Sequence, residues 1–130
     1  MPGVLLVLFA ATACGSSPTS PGGLASALSF SVSPIDTSVI EFVTPLGNLN
    51  PPDHTFPTDH IYFYHHLNHQ TAPAYVVVAP AAGTVTSIVQ HTDQKVYVQV
   101  TSAQTYYLDH LVLDGTIQQN TKITAGQRLG

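Results

Sequence analysis

The stretch Val78-Ala79-Pro80-Ala81-Ala82-Gly83-Thr84-Val85 decides the fold class of this chain. It completes an apolar run over residues 74–79 that holds three consecutive valines, and such a run predicts a β-strand covered on both faces. The Ala-Pro pair marks the end of that strand, and the Gly-x-Val sequence begins the next one. We therefore expect these residues to form the entry to a compact, barrel-like β-core.

The residues after this stretch continue the β pattern. Two alternating segments, Thr84 to Gln90 and Lys95 to Thr101, flank His91-Thr92-Asp93-Gln94, which predicts a hairpin turn. A third segment, Gln104 to Leu113, is followed by an Asp114-Gly115 turn. No segment shows an apolar period of about 3.6 residues with capping residues. The sequence therefore predicts an all-β sandwich or barrel with little or no helix.

Shorter strands are predicted on the N-terminal side of this core. Phe30 and Val32 alternate with serines in Ser29–Ser33, which predicts a short, half-buried strand. Val39–Val43 is a second candidate, ended by a Thr-Pro-Leu-Gly sequence, and the aromatic segment His60–Tyr64 is a third.

Composition limits the size of the domain and its partners. The 130 residues allow one modest domain, and only 8% of them are charged, with a formal net charge of -4. The basic side chains are Lys95, Lys122 and Arg128, so no basic stripe is available to neutralise phosphates. We therefore expect no nucleic-acid partner. The seven histidines are an unusual number, and histidine is the commonest metal ligand.

The N-terminal residues are typical of a targeting segment. Residues 1–13 contain an apolar run of signal-peptide length, too short to span a bilayer, and small residues precede Cys14. This pattern resembles a bacterial lipoprotein signal with Cys14 as the lipidated residue; an ordinary secretory signal with an incidental cysteine is the alternative. Residues 14–23 form a Ser/Pro/Gly-rich tether, and residues 24–130 form the β-rich domain. The expected location is the bacterial cell envelope, lipid-anchored or secreted.

Four motifs in order resemble a known family. They are Asn50-Pro51-Pro52-x-His54-x-x-x-x-Asp59, Ala79-Pro80-x-x-Gly83-x-Val85, Tyr106-x-x-x-His110-Leu111 and Ala125-Gly126-Gln127-x-Leu129-Gly130. Together they resemble the lysostaphin/LytM-type zinc metallopeptidases of bacterial cell walls, over about residues 47–130. The resemblance implies a hybrid-motif-type β-sandwich or barrel, zinc as the cofactor, and peptidoglycan or another envelope polymer as the partner.

The resemblance also implies roles for individual residues. His54 and Asp59 correspond to zinc ligands, and His110 to the histidine that stabilises the transition state. A zinc-bound water would then attack a peptide bond in peptidoglycan. Two departures accompany this match: four residues separate His54 from Asp59 where the family has three, and the family's His-x-His motif does not occur. We therefore expect a C-terminally incomplete or degenerate member that binds zinc at low occupancy.

Alternative interpretations remain open at each of these positions. His54 and Asp59 can belong to a turn in which the carboxylate accepts backbone N–H bonds, and His110 can be a core histidine. The cluster of His65, His66 and His69 predicts an exposed polar loop, and His91 predicts a solvated turn residue.

At the level of function, the alternative to an endopeptidase is a non-catalytic envelope protein that binds glycan or peptide, or scaffolds a partner. The aromatic residues do not decide between a glycan-stacking groove and an apolar β-core. They are Tyr62, Phe63, Tyr64, Tyr106 and Tyr107.

Overall fold

The computed structural model describes residues 4–5, 27–49, 60–65, 75–90 and 92–130. These residues form two curled antiparallel sheets and one 3-10 turn, Thr37–Val39, so the all-β prediction is confirmed. The strands are β1 (Val4–Leu5), β2 (Ile40–Thr44), β3 (Tyr62–His65), β4 (Gly83–Gln90), β5 (Gln94–Thr101), β6 (Gln104–Leu111) and β7 (Lys122–Ile123). None of the described segments is a helix long and apolar enough to cross a membrane.

The larger sheet has the strand order β6-β5-β4-β7. The predicted hairpin is confirmed: β4 and β5 pair antiparallel from Thr84↔Gln99 to Gln90↔Gln94. β5 and β6 form the next hairpin, and the predicted Asp114-Gly115 turn follows, closed by Ile117 N–H donating to Asp114 O at 2.9 Å.

The smaller sheet has the order β1-β3-β2. β2 and β3 correspond to two of the predicted strands. The third prediction, a strand over Ser29–Ser33, is wrong, because these residues follow no regular strand. Phe30 packs edge-to-face on Tyr106 instead, with the ring centroids 5.8 Å apart. Within the predicted signal peptide, Val4 and Leu5 pair with Tyr64 and Phe63.

The apolar run 75–79 is extended, but it is not covered on both faces. Val77 is buried, whereas Val76 is 46% exposed, because one side of the segment packs on the core and the other faces outward. The run pairs with residues 126–130: Val77 N–H donates to Gly130 O at 2.9 Å, and Leu129 N–H donates to Val77 O at 2.8 Å. Two of the four sequence motifs therefore lie side by side.

One apolar core lies beneath the larger sheet. Its fully buried members come from alternate positions of the central strands and from the paired segments: Ala79, Val85, Val96, Val98, Tyr106, Leu108 and Leu129. The Tyr106 hydroxyl donates to Ala81 O at 2.8 Å, so its polar atom is satisfied within the core. Ala79 and Val85 thus lie in the β-core, as expected from the sequence.

Candidate functional site

The candidate site lies where β5 begins and β6 ends. Gln94 pairs with Leu111, and Val96 pairs with Leu108, so Asp109 and His110 together lie opposite the single residue Lys95. This is a β-bulge, which bends the bulged strand and redirects its side chains. His110 has a φ of 61°, a left-handed conformation that is uncommon for residues other than glycine.

His110 contacts a carboxylate across the hairpin. Its Nδ1 atom lies 2.6 Å from Asp93 Oδ2, and Asp93 precedes β5 in the turn from β4. The two side chains are 36% and 38% exposed, so the pair faces solvent. A carboxylate beside one ring nitrogen of histidine favours the tautomer in which that nitrogen carries the proton. The other ring nitrogen is then available to contact a ligand or substrate. Asp93 therefore orients the His110 ring.

A second ion pair lies next to the first. Lys95 Nζ is 2.6 Å from Asp109 Oδ2, and their side chains are 26% and 13% exposed. The Lys95 ammonium also lies 4.7 Å from the centroid of the Tyr107 ring, a cation–π distance. The other carboxylate oxygen, Asp109 Oδ1, accepts the backbone N–H of His110 at 3.0 Å. Asp109 thus connects Lys95 to the bulge that presents His110.

A side chain–backbone contact anchors the end of the same hairpin. Gln94 Oε1 accepts the N–H of Leu113 at 2.6 Å, just beyond the last residue of β6. The contact lies two residues from Leu111, whose side chain is buried in the core. The bulge is therefore fixed on its C-terminal side by both polar and apolar contacts.

Asp93, Asp109 and His110 form a group that can hold a metal ion. One ligand atom from each residue lies within 4.8 Å of the others. Carboxylate oxygen and imidazole nitrogen are ligands that zinc and related dications accept. The expectation of a metal-binding group is thus met in its general form by these three residues.

An aromatic face adjoins the site. Tyr97 and Tyr107 lie with ring centroids 5.4 Å apart, and His60 approaches Tyr107 edge-on at 6.4 Å. Both tyrosines are half-buried on the outer side of the sheet. Tyr62, Tyr64 and Tyr106 are buried, so these three of the aromatics singled out from the sequence belong to the interior.

The sequence-predicted residues have different outcomes. His110 lies in the site and is exposed, so its interpretation as a core histidine is wrong. His65 is 3% exposed at the end of β3 and packs edge-to-face on Tyr75, so the exposed-loop interpretation is wrong for that residue. Cys14, His54, Asp59, His66, His69 and His91 lie outside the described residues.

Sequence reasoning missed Asp93, Lys95 and Asp109 as members of the site. Two signals for them are present in the sequence: Asp109 directly precedes His110, and Asp93 lies in the predicted turn before Lys95. The missing information was the pairing register, because only a bulge at residues 109–110 brings all of them together. Comparisons with known proteins give no matching family model, no matching curated protein and no matching solved structure.

Proposed function

We propose that the protein acts on peptidoglycan in the bacterial cell envelope, as a zinc-dependent endopeptidase of the lysostaphin/LytM type. In this proposal Cys14 carries the lipid anchor, and His110 stabilises the transition state of peptide-bond hydrolysis. The observation that carries the proposal is the 2.6 Å contact between His110 Nδ1 and Asp93 Oδ2. An exposed histidine that is oriented by a carboxylate can present its other ring nitrogen to a substrate.

The chemistry assigned to His110 follows from its partners. Asp93 Oδ2 lies at hydrogen-bond distance from Nδ1 and orients the ring, so that the other ring nitrogen can be presented to a developing oxyanion. Asp109 fixes the backbone N–H beside the ring. Together these contacts limit the orientations that the ring can adopt, and a preorganised donor needs little rearrangement during the reaction.

The proposal includes zinc because of the resemblance that the sequence motifs show to a zinc-dependent family. His54 and Asp59 would hold the ion, and their imidazole and carboxylate groups are suitable donors. A bound zinc ion supplies a water of lowered pKa and polarises a carbonyl group. Among the described residues, Asp93 and Asp109 orient His110 through its ring and its backbone N–H.

The structural roles of the other motifs also support the proposal. Ala79 and Val85 are fully buried, Gly83 contacts the neighbouring strand closely, and Gly126 takes a positive φ of 80° in a turn. These are the positions that the resemblance identifies, and each has a packing or backbone reason for its residue type.

The test compares variants in zinc-dependent release of amino groups from purified, cross-linked peptidoglycan. We expect His110→Asn to lower kcat by about 100-fold or more, since general acid–base groups contribute factors of about 10² to 10⁴. Asp93→Asn should lower kcat by about 10- to 100-fold with KM unchanged, because Asp93 acts through His110. The matched control is Asp36→Asn, where Asn retains the hydrogen bond from Ser38 N–H at the 3-10 turn. Equal kcat values for the three variants would contradict the assigned roles.

A second candidate function is peptidoglycan binding without cleavage, and the aromatic face favours it. Tyr97 and Tyr107 are half-buried with ring centroids 5.4 Å apart, and tyrosine, with an apolar ring and a polar hydroxyl, is enriched at binding interfaces. Tyr107→Leu would then reduce co-sedimentation with peptidoglycan, whereas Val112→Ala, at an 84% exposed position, would not. Binding by a zinc-loaded protein that releases no amino groups would support this candidate and contradict the endopeptidase.

A further inference from the structure

We propose that Asp93, Asp109 and His110 form a divalent-cation site in which the Lys95 ammonium is the competing cation. In the absence of metal, Lys95 neutralises the carboxylate of Asp109. A dication must displace the Lys95 ammonium from this carboxylate to bind. The site differs from the His54 and Asp59 pair of the proposed function, but it uses His110 and Asp93, so an ion bound here would replace the contact on which that function rests. Its existence does not depend on peptide hydrolysis.

The geometry requires a limited rearrangement. Zinc or cobalt ligands lie about 2.0–2.2 Å from the ion, so two ligands of a tetrahedral ion are about 3.3–3.6 Å apart. The three candidate ligand atoms lie within 4.8 Å of one another. The 2.6 Å contact between Asp93 Oδ2 and His110 Nδ1 must therefore open by slightly less than about 1 Å, and any wider separation must shorten by about 1 Å, for one ion to contact all three residues.

The present contacts define what the ion must replace. Asp93 Oδ2 touches His110 Nδ1, and Asp109 Oδ2 touches Lys95 Nζ, each at 2.6 Å. A dication between these groups supplies the positive charge that Lys95 now brings to Asp109. The Asp109 Oδ1 contact with the His110 N–H involves the other oxygen, so it can persist and hold the bulge in place.

Lys95 has a second partner that remains after displacement. Its ammonium lies over the Tyr107 ring at 4.7 Å, and this cation–π contact does not involve the carboxylates. Lys95 can thus release Asp109 while keeping its packing on the aromatic face. Metal binding then costs the partly exposed Lys95–Asp109 ion pair and the exposed Asp93–His110 contact, whose free energies are small compared with that of binding a dication through three ligands.

The ligand set selects the class of ion. One imidazole and two carboxylates suit first-row transition dications such as zinc, cobalt or manganese, whereas calcium takes six to eight oxygen ligands. Three protein ligands leave positions for water. The site therefore binds a transition dication exchangeably.

The probe is Co²⁺ added to the full-length protein, followed by NMR of the amides of Asp93, Gln94, Asp109 and His110. We expect paramagnetic shifts and broadening at these amides. The dependence of these changes on the Co²⁺ concentration gives an apparent Kd for this site, separate from Co²⁺ binding at other histidines. Lys95→Met removes the competing ammonium and should tighten the apparent Kd by about 1.5- to fivefold, the range for losing a partly exposed ion pair. Lys122→Met is the matched control, because Lys122 is exposed in β7 and should leave the Kd unchanged.

A second variant separates the metal site from a general charge effect. In the Lys95→Met background, His110→Gly keeps the left-handed backbone accessible and removes one ligand, so the Kd should weaken by about tenfold or more. Two results would overturn the proposal: a Lys95→Met affinity equal to or weaker than wild type, or a Kd indifferent to His110→Gly. Loss of peptidase activity plays no part in either result, so the two proposals fail independently.

Discussion

At the scale of single residues, His110 combines an unfavourable backbone conformation with a favourable side-chain contact to Asp93. Left-handed conformations cost a non-glycine residue about 1–2 kcal/mol, and such outliers cluster at functional sites. His110 takes a φ of 61° while its ring reaches Asp93 across the hairpin. The backbone conformation therefore does not account for a histidine at this position, whereas the contact with Asp93 depends on its side chain.

His110→Gly tests that distinction directly. The glycine relieves the backbone cost but loses the contact with Asp93, and these opposing effects should leave the free energy of unfolding within about 1 kcal/mol of wild type. Urea unfolding measures the difference. A loss above about 3 kcal/mol would assign His110 a structural role instead.

Tyr106 is the opposite case, a polar residue retained for stability. Its ring is fully buried, and its hydroxyl donates to Ala81 O. Burial raises the pKa of the Tyr106 hydroxyl above its ordinary value, so the folded protein keeps this proton at a pH where the unfolded chain loses it. Stability is therefore fully present below about pH 10 and decreases as the pH rises above it.

Tyr106→Phe should have two measurable effects. Near neutral pH it should lower the free energy of unfolding by about 1–2 kcal/mol, because Ala81 O loses a buried donor. Between about pH 9 and pH 11 the variant should lose about 1 kcal/mol less stability than wild type, because the phenylalanine cannot ionise in the unfolded chain. Denaturant unfolding at both pH values checks this, with Tyr97→Phe as the half-buried control. Parallel pH dependence in wild type and Tyr106→Phe would refute the assignment.

At the scale of elements, the larger sheet depends on a close approach between β4 and β5. A Cβ atom added to Gly83 would lie 2.6 Å from Gln99 O and 2.6 Å from Val98 Cγ1. The first of these is backbone within a paired strand, which cannot shift alone. The Gly-x-Val motif thus has a steric reason for its glycine.

Gly83→Ala should therefore destabilise the domain by about 1–3 kcal/mol, the usual range for forcing extra atoms into a packed region. Gly115→Ala is the matched control, because nothing lies within 4 Å of its added Cβ. Thermal unfolding of the two variants gives the comparison. Equal melting temperatures would show that the β4–β5 contact can relax.

The hairpins and the candidate site differ in how far the sequence predicts them. Alternating apolar residues and a polar turn predicted β4 and β5 nearly to their ends, because burial on one face and turn chemistry are local properties. The bulge at Asp109 and His110 depends on the register of β6 against β5, which no local pattern specifies. His110 was identified through the family resemblance, whereas its partners Asp93, Lys95 and Asp109 were not identified, because only the register brings them to it.

At the scale of the whole molecule, the fold brings distant motifs together around one core. The segment at 75–79 pairs with the segment at 126–130, about 50 residues later in the chain, and Leu129 is fully buried between the core strands. Composition and periodicity predicted the all-β class, but such long-range pairing follows from packing and not from local sequence. The apolar run 75–79 shows the limit: its composition indicated burial on both faces, whereas its pairing leaves Val76 exposed.

We propose that the whole molecule hydrolyses peptide bonds of peptidoglycan with zinc, using His110 oriented by Asp93. The most direct measurement is mass spectrometry of purified, cross-linked peptidoglycan after incubation with the zinc-loaded, full-length protein. We expect new peptide N-termini that disappear on chelation and in the His110→Asn variant. Peptidoglycan that stays intact with zinc-loaded wild-type protein, or N-termini that form equally with His110→Asn, would contradict it.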